Sequence, residues 1–273
     1  MNNNETVWST CCIYYKGFPD KLLNHNILPV IQTIFQRKWA KQYFFIRYFD
    51  KKGQHIRLRF KGEPEHMKKR IKPLLRKTFP SCRFIPYLPE LNRYGGKTGM
   101  LLAQELFEAS SNVILSFLAE NQKPNYEHSL GFSLQLNVSM VHALEMQKKE
   151  AIAFFDHTSV HNDPRNYEKN AAKDAALFPF LSHLWFELDK HRIFDKYWFT
   201  VWLKEVTKFQ KKLQEAYEDR KLNPIDPKQK HQQHPLWYFY ESYIHMNNNR
   251  LGITTTDESY IAYIIKCALE YER

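Results

Sequence analysis

The 273 residues allow one large domain or two small ones, at about 150 residues per domain. An apolar fraction of 43% with 15% aromatic excludes a disordered chain, and 8 Gly with 13 Pro exclude collagen-like and low-complexity classes. The net charge of +11 favours anionic partners, whether nucleic acid, lipid headgroups or acidic peptides, and is silent on the fold.

Residues 7–15 are β-branched and aromatic, and 21–38 place Leu23, Ile27, Val30, Ile31, Ile34 and Phe35 at helical spacing, so a strand precedes a helix. Two strand-like runs, 43–49 and 54–61, flank a short turn containing Gly53 and predict a hairpin. In its second strand His55, Arg57 and Arg59 alternate with Ile56, Leu58 and Phe60, which gives one core face and one cationic face. A basic surface helix is expected after Pro64, then a strand over 82–87 that Pro86 and Pro89 bring to an end. Beyond Gly95-Gly96 helices dominate: 100–118, much of 132–155, 176–188, and 191–217 as the longest. That last helix carries a stripe of Phe194, Trp198, Val201, Trp202, Phe209, Leu213 and Tyr217.

Residues 219–235 turn polar and Pro-rich and read as a mobile loop. A helix follows over 236–246, and a final helix begins at Thr255 with Glu258 three positions on, the spacing of a capping box. Strands first and helices after predict an α+β fold, a small antiparallel sheet from the N-terminal third packed against a mainly helical layer. No run of about 18 apolar residues and no signal core occur, and Cys11, Cys12, Cys82 and Cys267 show no metal or disulfide spacing. A cytoplasmic chain with reduced thiols is expected.

Three clusters carry candidate chemistry. Arg57 and Arg59, two residues apart on one strand face beside His55, can each take a carboxylate through paired charge-assisted bonds; a solvated face of snorkelling arginines is the plainer alternative. Glu90, Arg93 and Tyr94 precede two glycines able to bring backbone close to a ligand, or else form a helix-entry turn with a local ion pair. His245 and Arg250 sit at an expected helix end, as an acid or base with an anion partner, or as a histidine answering the helix dipole. His157, His161 and Asp163 have a spacing open to a metal, without a further ligand at a recognised interval. Neither a phosphate-binding glycine loop nor a convincing metal set occurs, so no cofactor is implied.

Together, His55-Ile56-Arg57-Leu58-Arg59-Phe60, Glu90-Leu91-Asn92-Arg93-Tyr94-Gly95-Gly96 and His245-Met246-Asn247-Asn248-Asn249-Arg250 resemble the glutamate-elimination domain of class I lantibiotic dehydratases. The same domain occurs as a separate protein in thiopeptide-type bacteriocin pathways. Trp8, the run from Phe44 to Tyr48, and Asp257-Glu258 with Tyr260 are similar too, so the resemblance runs nearly end to end and implies one domain over 1–273. One departure is Ser110, where the resemblance leads one to expect Asp.

The resemblance implies a lyase that expels glutamate from glutamylated Ser or Thr of a precursor peptide, leaving dehydroalanine or dehydrobutyrine. Its partners are then that peptide and a separate glutamylation enzyme using glutamyl-tRNA, with indirect tRNA contact. Arg57, Arg59, Arg93 and His245 carry over as catalytic, with His55, Glu90, Tyr94 and Arg250 supporting substrate. A pyridine-forming macrocyclase of the same fold, and a non-catalytic peptide or tRNA escort, are the competing readings.

Overall fold

A computed structural model describes residues 6–121, 125–159, 174–190, 196–223 and 234–271. His161, Asp163, Phe194 and most of the expected 219–235 loop lie outside them. The contacts separate into two compact units, Met1–Glu90 with Phe107–Pro124, and Leu91–Leu106 with Asn125–Arg273.

The first unit holds four strands, β1 (Val7–Tyr14), β2 (Gln42–Asp50), β3 (Gly53–Gly62) and β4 (Arg83–Ile85), in the order β2-β3-β1-β4 with every neighbour antiparallel. Helical segments α1 (Pro19–Leu22) and α2 (Leu28–Gln36) link β1 to β2, and α3 (Pro64–His66) and α4 (Lys72–Thr78) link β3 to β4, each pair joined through a π turn. The β-α-β-β-α-β succession with this strand order is a ferredoxin-like plait. The hairpin turn is tight because the Lys52 N–H donates to Asp50 Oδ1 at 2.8 Å.

Period-two alternation sorts the strands cleanly. One sheet face presents Cys11, Ile13, Phe45, Ile56, Leu58 and Phe60, all buried. The helices lie on this side, since Phe35 of α2 meets Tyr43 edge-on and Lys72 and Arg76 of α4 lie over Phe84. The opposite face carries Trp8, Cys12, Phe44, Tyr48, His55, Arg57 and Arg59 in register. Two outer N–H groups of β2 are taken: Tyr43 N–H donates to Glu108 Oε1 and Phe45 N–H to Ser111 Oγ, from the long helix α5 (Gly96–Glu120). Neighbouring Ser110 is fully buried in that same part of α5. All four cysteines are free thiols.

The second unit is helical: α6 (Tyr126–Ala143), α7 (Lys148–Ser159), α8 (Leu177–Asp189), α9 (Tyr197–Glu218), α10 (Trp237–Leu251) and α11 (Thr255–Glu270). The chain is therefore α+β, as its sequence leads one to expect. Among the described residues no helix is long and apolar enough to cross a membrane.

Three expectations need correction. The longest described helix is α5 with 25 residues, against 22 in α9, whose apolar stripe runs Phe199, Trp202, Val206, Phe209, Leu213 and Ala216 and leaves Val201 and Tyr217 exposed. Helix α10 continues to Leu251 rather than stopping near 246, because Asn247, Asn248 and Arg250 are buried with protein partners and do not act as polar stop signals. The N-cap of α11 is Thr254, whose Oγ1 accepts from the Asp257 N–H, so Glu258 is released from capping.

Gly99 packs its backbone tightly against the preceding turn. A Cβ built there would lie 1.6 Å from the Tyr94 carbonyl oxygen, locking the Leu91–Tyr94 3-10 turn onto the start of α5. Gly99→Ala should therefore destabilise the protein by roughly 1–3 kcal/mol or more, read as a lowered thermal midpoint, and an unchanged midpoint would show that the turn is free to move.

Candidate active site

In the first unit the cationic face is a built surface rather than a solvated one. His55 is fully buried, packed between the rings of Tyr14 and Tyr48. Its Nδ1 faces the Gly53 carbonyl oxygen at 3.2 Å, which fixes the hydrogen on Nδ1 and leaves Nε2 to accept from Arg57 Nε at 3.3 Å. Arg57 also lies over the Tyr48 ring, 3.3 Å from its centroid, so both its orientation and its plane are set.

Arg59 sits between the rings of Phe44 and Tyr87, about 5 Å from each centroid. Its Nε is buried and has no hydrogen-bond partner among the described residues. Burial pulls the Arg59 guanidinium below its ordinary range; the Arg57 charge adds to this, while Tyr87, Glu90 and Cys12 work against it. A desolvated cation with open donors is prepared for an anion. Cys12, beside the two arginines, is raised by burial more than the arginines lower it, which keeps it a thiol.

The second unit contains a cavity of ≈ 530 Å³, within the size range of small-ligand sites. Helical periodicity builds its walls. Tyr238, Glu241, Ser242, His245 and Asn248 form one stripe of α10, and Thr255, Glu258, Ser259 and Ala262 one stripe of α11. Between them the chain reverses at Gly252, whose φ of +83° is the left-handed conformation that ends α10, with Ile253 N–H donating back to the Asn248 carbonyl. That reversal sets Glu258 against His245: its two carboxylate oxygens lie 3.1 and 3.0 Å from Nδ1. A carboxylate only accepts, so a hydrogen is on Nδ1, and in the neutral imidazole Nε2 carries the lone pair. Arg93 lines the same cavity, its Nε donating to Ser242 Oγ at 3.3 Å.

Within their own units, then, His55 joins Arg57, Arg59 lies beside Glu90 and Tyr87, and Arg93 shares a cavity with His245. Tyr94 is instead buried, its ring stacked on Tyr243. Arg250 is fully buried and donates from Nη1 to the Met246 carbonyl at 2.8 Å. Neither is among the residues lining the cavity. His157 lies 3.7 Å from Glu241, and no group of three metal-capable side chains occurs among the described residues.

Sequence reading gives no site role to Glu258, Ser242, Asn137 or Asn248. Glu258 reads there as a helix cap, and the others become visible only by counting helical turns back and forth from His245.

The chain matches the lantibiotic biosynthesis dehydratase C-terminal family over residues 8–269 and belongs to it. Among solved structures it is similar to the tRNA-dependent lantibiotic dehydratase MibB from Microbispora sp. 107891, with TM-score 0.71 and 17% identity over 99% of this chain. It spans only 28% of that dehydratase's length. TsrL is similar at TM-score 0.70 and 15% identity, covering 97% of this chain and 95% of that one. The pyridine synthase TbtD, from thiomuracin biosynthesis, is similar at TM-score 0.67 and 12% identity, covering 97% of each. No curated protein matches the sequence.

The buried guanidinium of Arg59 should cost stability that an uncharged side chain of similar length recovers. Arg59→Met is expected to stabilise the fold by about 1 kcal/mol or more, read as a raised thermal midpoint. A lowered midpoint would mean that the charge serves folding rather than a ligand.

Proposed function

We propose that the protein is a carbon–oxygen lyase that removes glutamate from glutamylated Ser or Thr of a ribosomally made precursor peptide, giving dehydroalanine or dehydrobutyrine. The observation that carries this reading is the His245–Glu258 pair beside Arg93 in one cavity. β-Elimination needs a base for a weakly acidic α-proton and positive charge for a leaving carboxylate.

In this reading Nε2 of His245 takes the Cα proton, Glu258 holds the ring and stabilises the imidazolium, and the Cα–H electron pair becomes the Cα=Cβ bond. The Cβ–O bond breaks and its electrons leave with the glutamate carboxylate, so atoms and charge balance. Arg93 receives negative charge in the cavity. Arg57 and Arg59 are the carboxylate-binding pair of the sheet unit in this reading, with His55 orienting Arg57 and Glu90 as a partner for an amine. Tyr94 and Arg250 support the helices that carry Arg93 and His245. The substrate comes from a separate glutamylation enzyme that uses glutamyl-tRNA, so the work is cytoplasmic, and the whole chain acts as one elimination domain.

A second reading has a specific observation behind it: the likeness to the pyridine synthase covers 97% of both chains. A macrocyclase joins two dehydroalanines and has no use for a glutamate clamp. Purified protein mixed with a synthetic peptide bearing a glutamyl ester on Ser, without tRNA, ATP or metal, separates the two by mass spectrometry. Free glutamate and a dehydrated peptide support the lyase, whereas an untouched ester with turnover of a bis-dehydroalanine peptide supports the cyclase.

His245→Ala should leave the glutamyl ester intact, and complete dehydration by that variant would reassign the base. Glu258→Gln, which keeps the acceptor and loses the charge, should lower kcat by about 100-fold or more with little change in KM; an unchanged kcat would reduce Glu258 to a packing contact. Arg57→Lys keeps the charge and loses the planar fork, the Tyr48 stack and the His55 bond, so dehydration should fall by at least about tenfold while the thermal midpoint holds. Near-normal turnover would count against the clamp.

A further inference from the structure

Behind His245 the cavity wall contains two side-chain amides whose polar atoms are only half used. Asn137 of α6 and Asn248 of α10 both line the cavity and are 1% and 0% exposed. Asn248 Oδ1 accepts from Ser133 Oγ at 2.6 Å and from Asn137 Nδ2 at 3.4 Å, and Asn137 Nδ2 also reaches Ser133 Oγ at 3.4 Å. In this arrangement the Asn137 nitrogen donates and the Asn248 oxygen accepts. The bonds leave one acceptor, Asn137 Oδ1, and one donor, Asn248 Nδ2, buried with no partner among the described residues. Buried groups of this kind carry a desolvation cost that a ligand relieves, and an acceptor together with a donor is complementary to a ligand that offers a donor and an acceptor.

We infer that Asn137 and Asn248 form a recognition pair for the backbone of one extended peptide residue, accepting from its N–H and donating to its C=O. A residue in extended conformation presents both groups on the same side, as it does when it exchanges two bonds with a strand partner. The pair thus supplies one rung of a strand from two helices. The inference rests on the lyase reading for which residue lies there: the glutamylated one, whose α-carbon must come within reach of His245, three positions before Asn248 on α10. Its carbonyl oxygen gathers negative charge as the α-proton leaves, and the Nδ2 donor of Asn248 stabilises that enolate.

The test uses a peptide in which the reacting Ser is replaced by 2,3-diaminopropionate acylated with glutamate, which cannot eliminate. A second version has the backbone N–H of that residue replaced by an ester oxygen. Calorimetry with the wild-type protein should find the second version about tenfold weaker, the size of effect expected when a buried acceptor loses its donor. Asn137→Ala should bind both versions equally, and Asn248→Asp, with an acceptor facing the carbonyl, should weaken both and slow release of glutamate from the corresponding glutamyl ester. Equal binding of the two versions by the wild type would overturn the pair and show that it holds only water. Because that comparison needs no variant, a folding defect in either substitution does not obscure it. A wild type that discriminates between the versions yet leaves the ester intact would uphold the pair and overturn the lyase; one that eliminates without discriminating would do the reverse.

Discussion

Helix α10 is buried along most of its length and yet carries Ser242, His245, Asn247, Asn248 and Arg250. Burying so many polar groups is tolerable only where each finds a partner, and the helices around α10 are arranged to provide them. Met140 sulfur lies 3.1 Å from the Asn247 amide, Ser133 and Asn137 engage Asn248, Arg93 engages Ser242, and Glu258 engages His245. At the cavity this matching is incomplete, with Asn137 Oδ1 and Asn248 Nδ2 left over. Its chemistry and its architecture therefore have one origin, a polar helix placed inside an apolar shell.

The sheet unit solves the same problem differently. Its helices cover the apolar face, while the cationic face is dressed with aromatic rings, so that Arg57 and Arg59 are held by stacking rather than by carboxylates. Guanidinium groups oriented by rings keep their donors available, which an ion pair would have consumed. Together with membership of the dehydratase C-terminal family, this preserved capacity for anions is what makes an eliminated carboxylate the natural cargo of the proposed reaction.

Much of the sheet could be read directly. Alternation is a two-residue signal, so His55, Arg57 and Arg59 announced a shared face, and the turn at Gly53 announced the hairpin. The helical unit was less legible for a physical reason: a buried polar helix does not look amphipathic. Asn247 and Asn248 resemble the end of a helix until their partners Met140, Ser133 and Asn137 on α6 are known, and for that reason α10 runs five residues further than its apolar pattern suggests. Glu258 was hidden by an equally local ambiguity. Thr254 and Thr255 are both plausible caps, and a shift of one residue decides whether Glu258 faces backbone or His245. Burial of the arginine face was also beyond the sequence, because period two separates faces without saying what covers them.

The border of the sheet has a consequence for any chain that comes near it. An uncovered strand edge offers a row of donors and acceptors to extended polypeptide, and a protein that handles unstructured peptides would adsorb them there in the wrong register. On β2 the outward N–H groups of Tyr43 and Phe45 are already spoken for by Glu108 and Ser111 of α5. A peptide adding to that edge at Tyr43 or Phe45 would first have to displace a side chain, which turns this stretch of a latent trap into an inert rim.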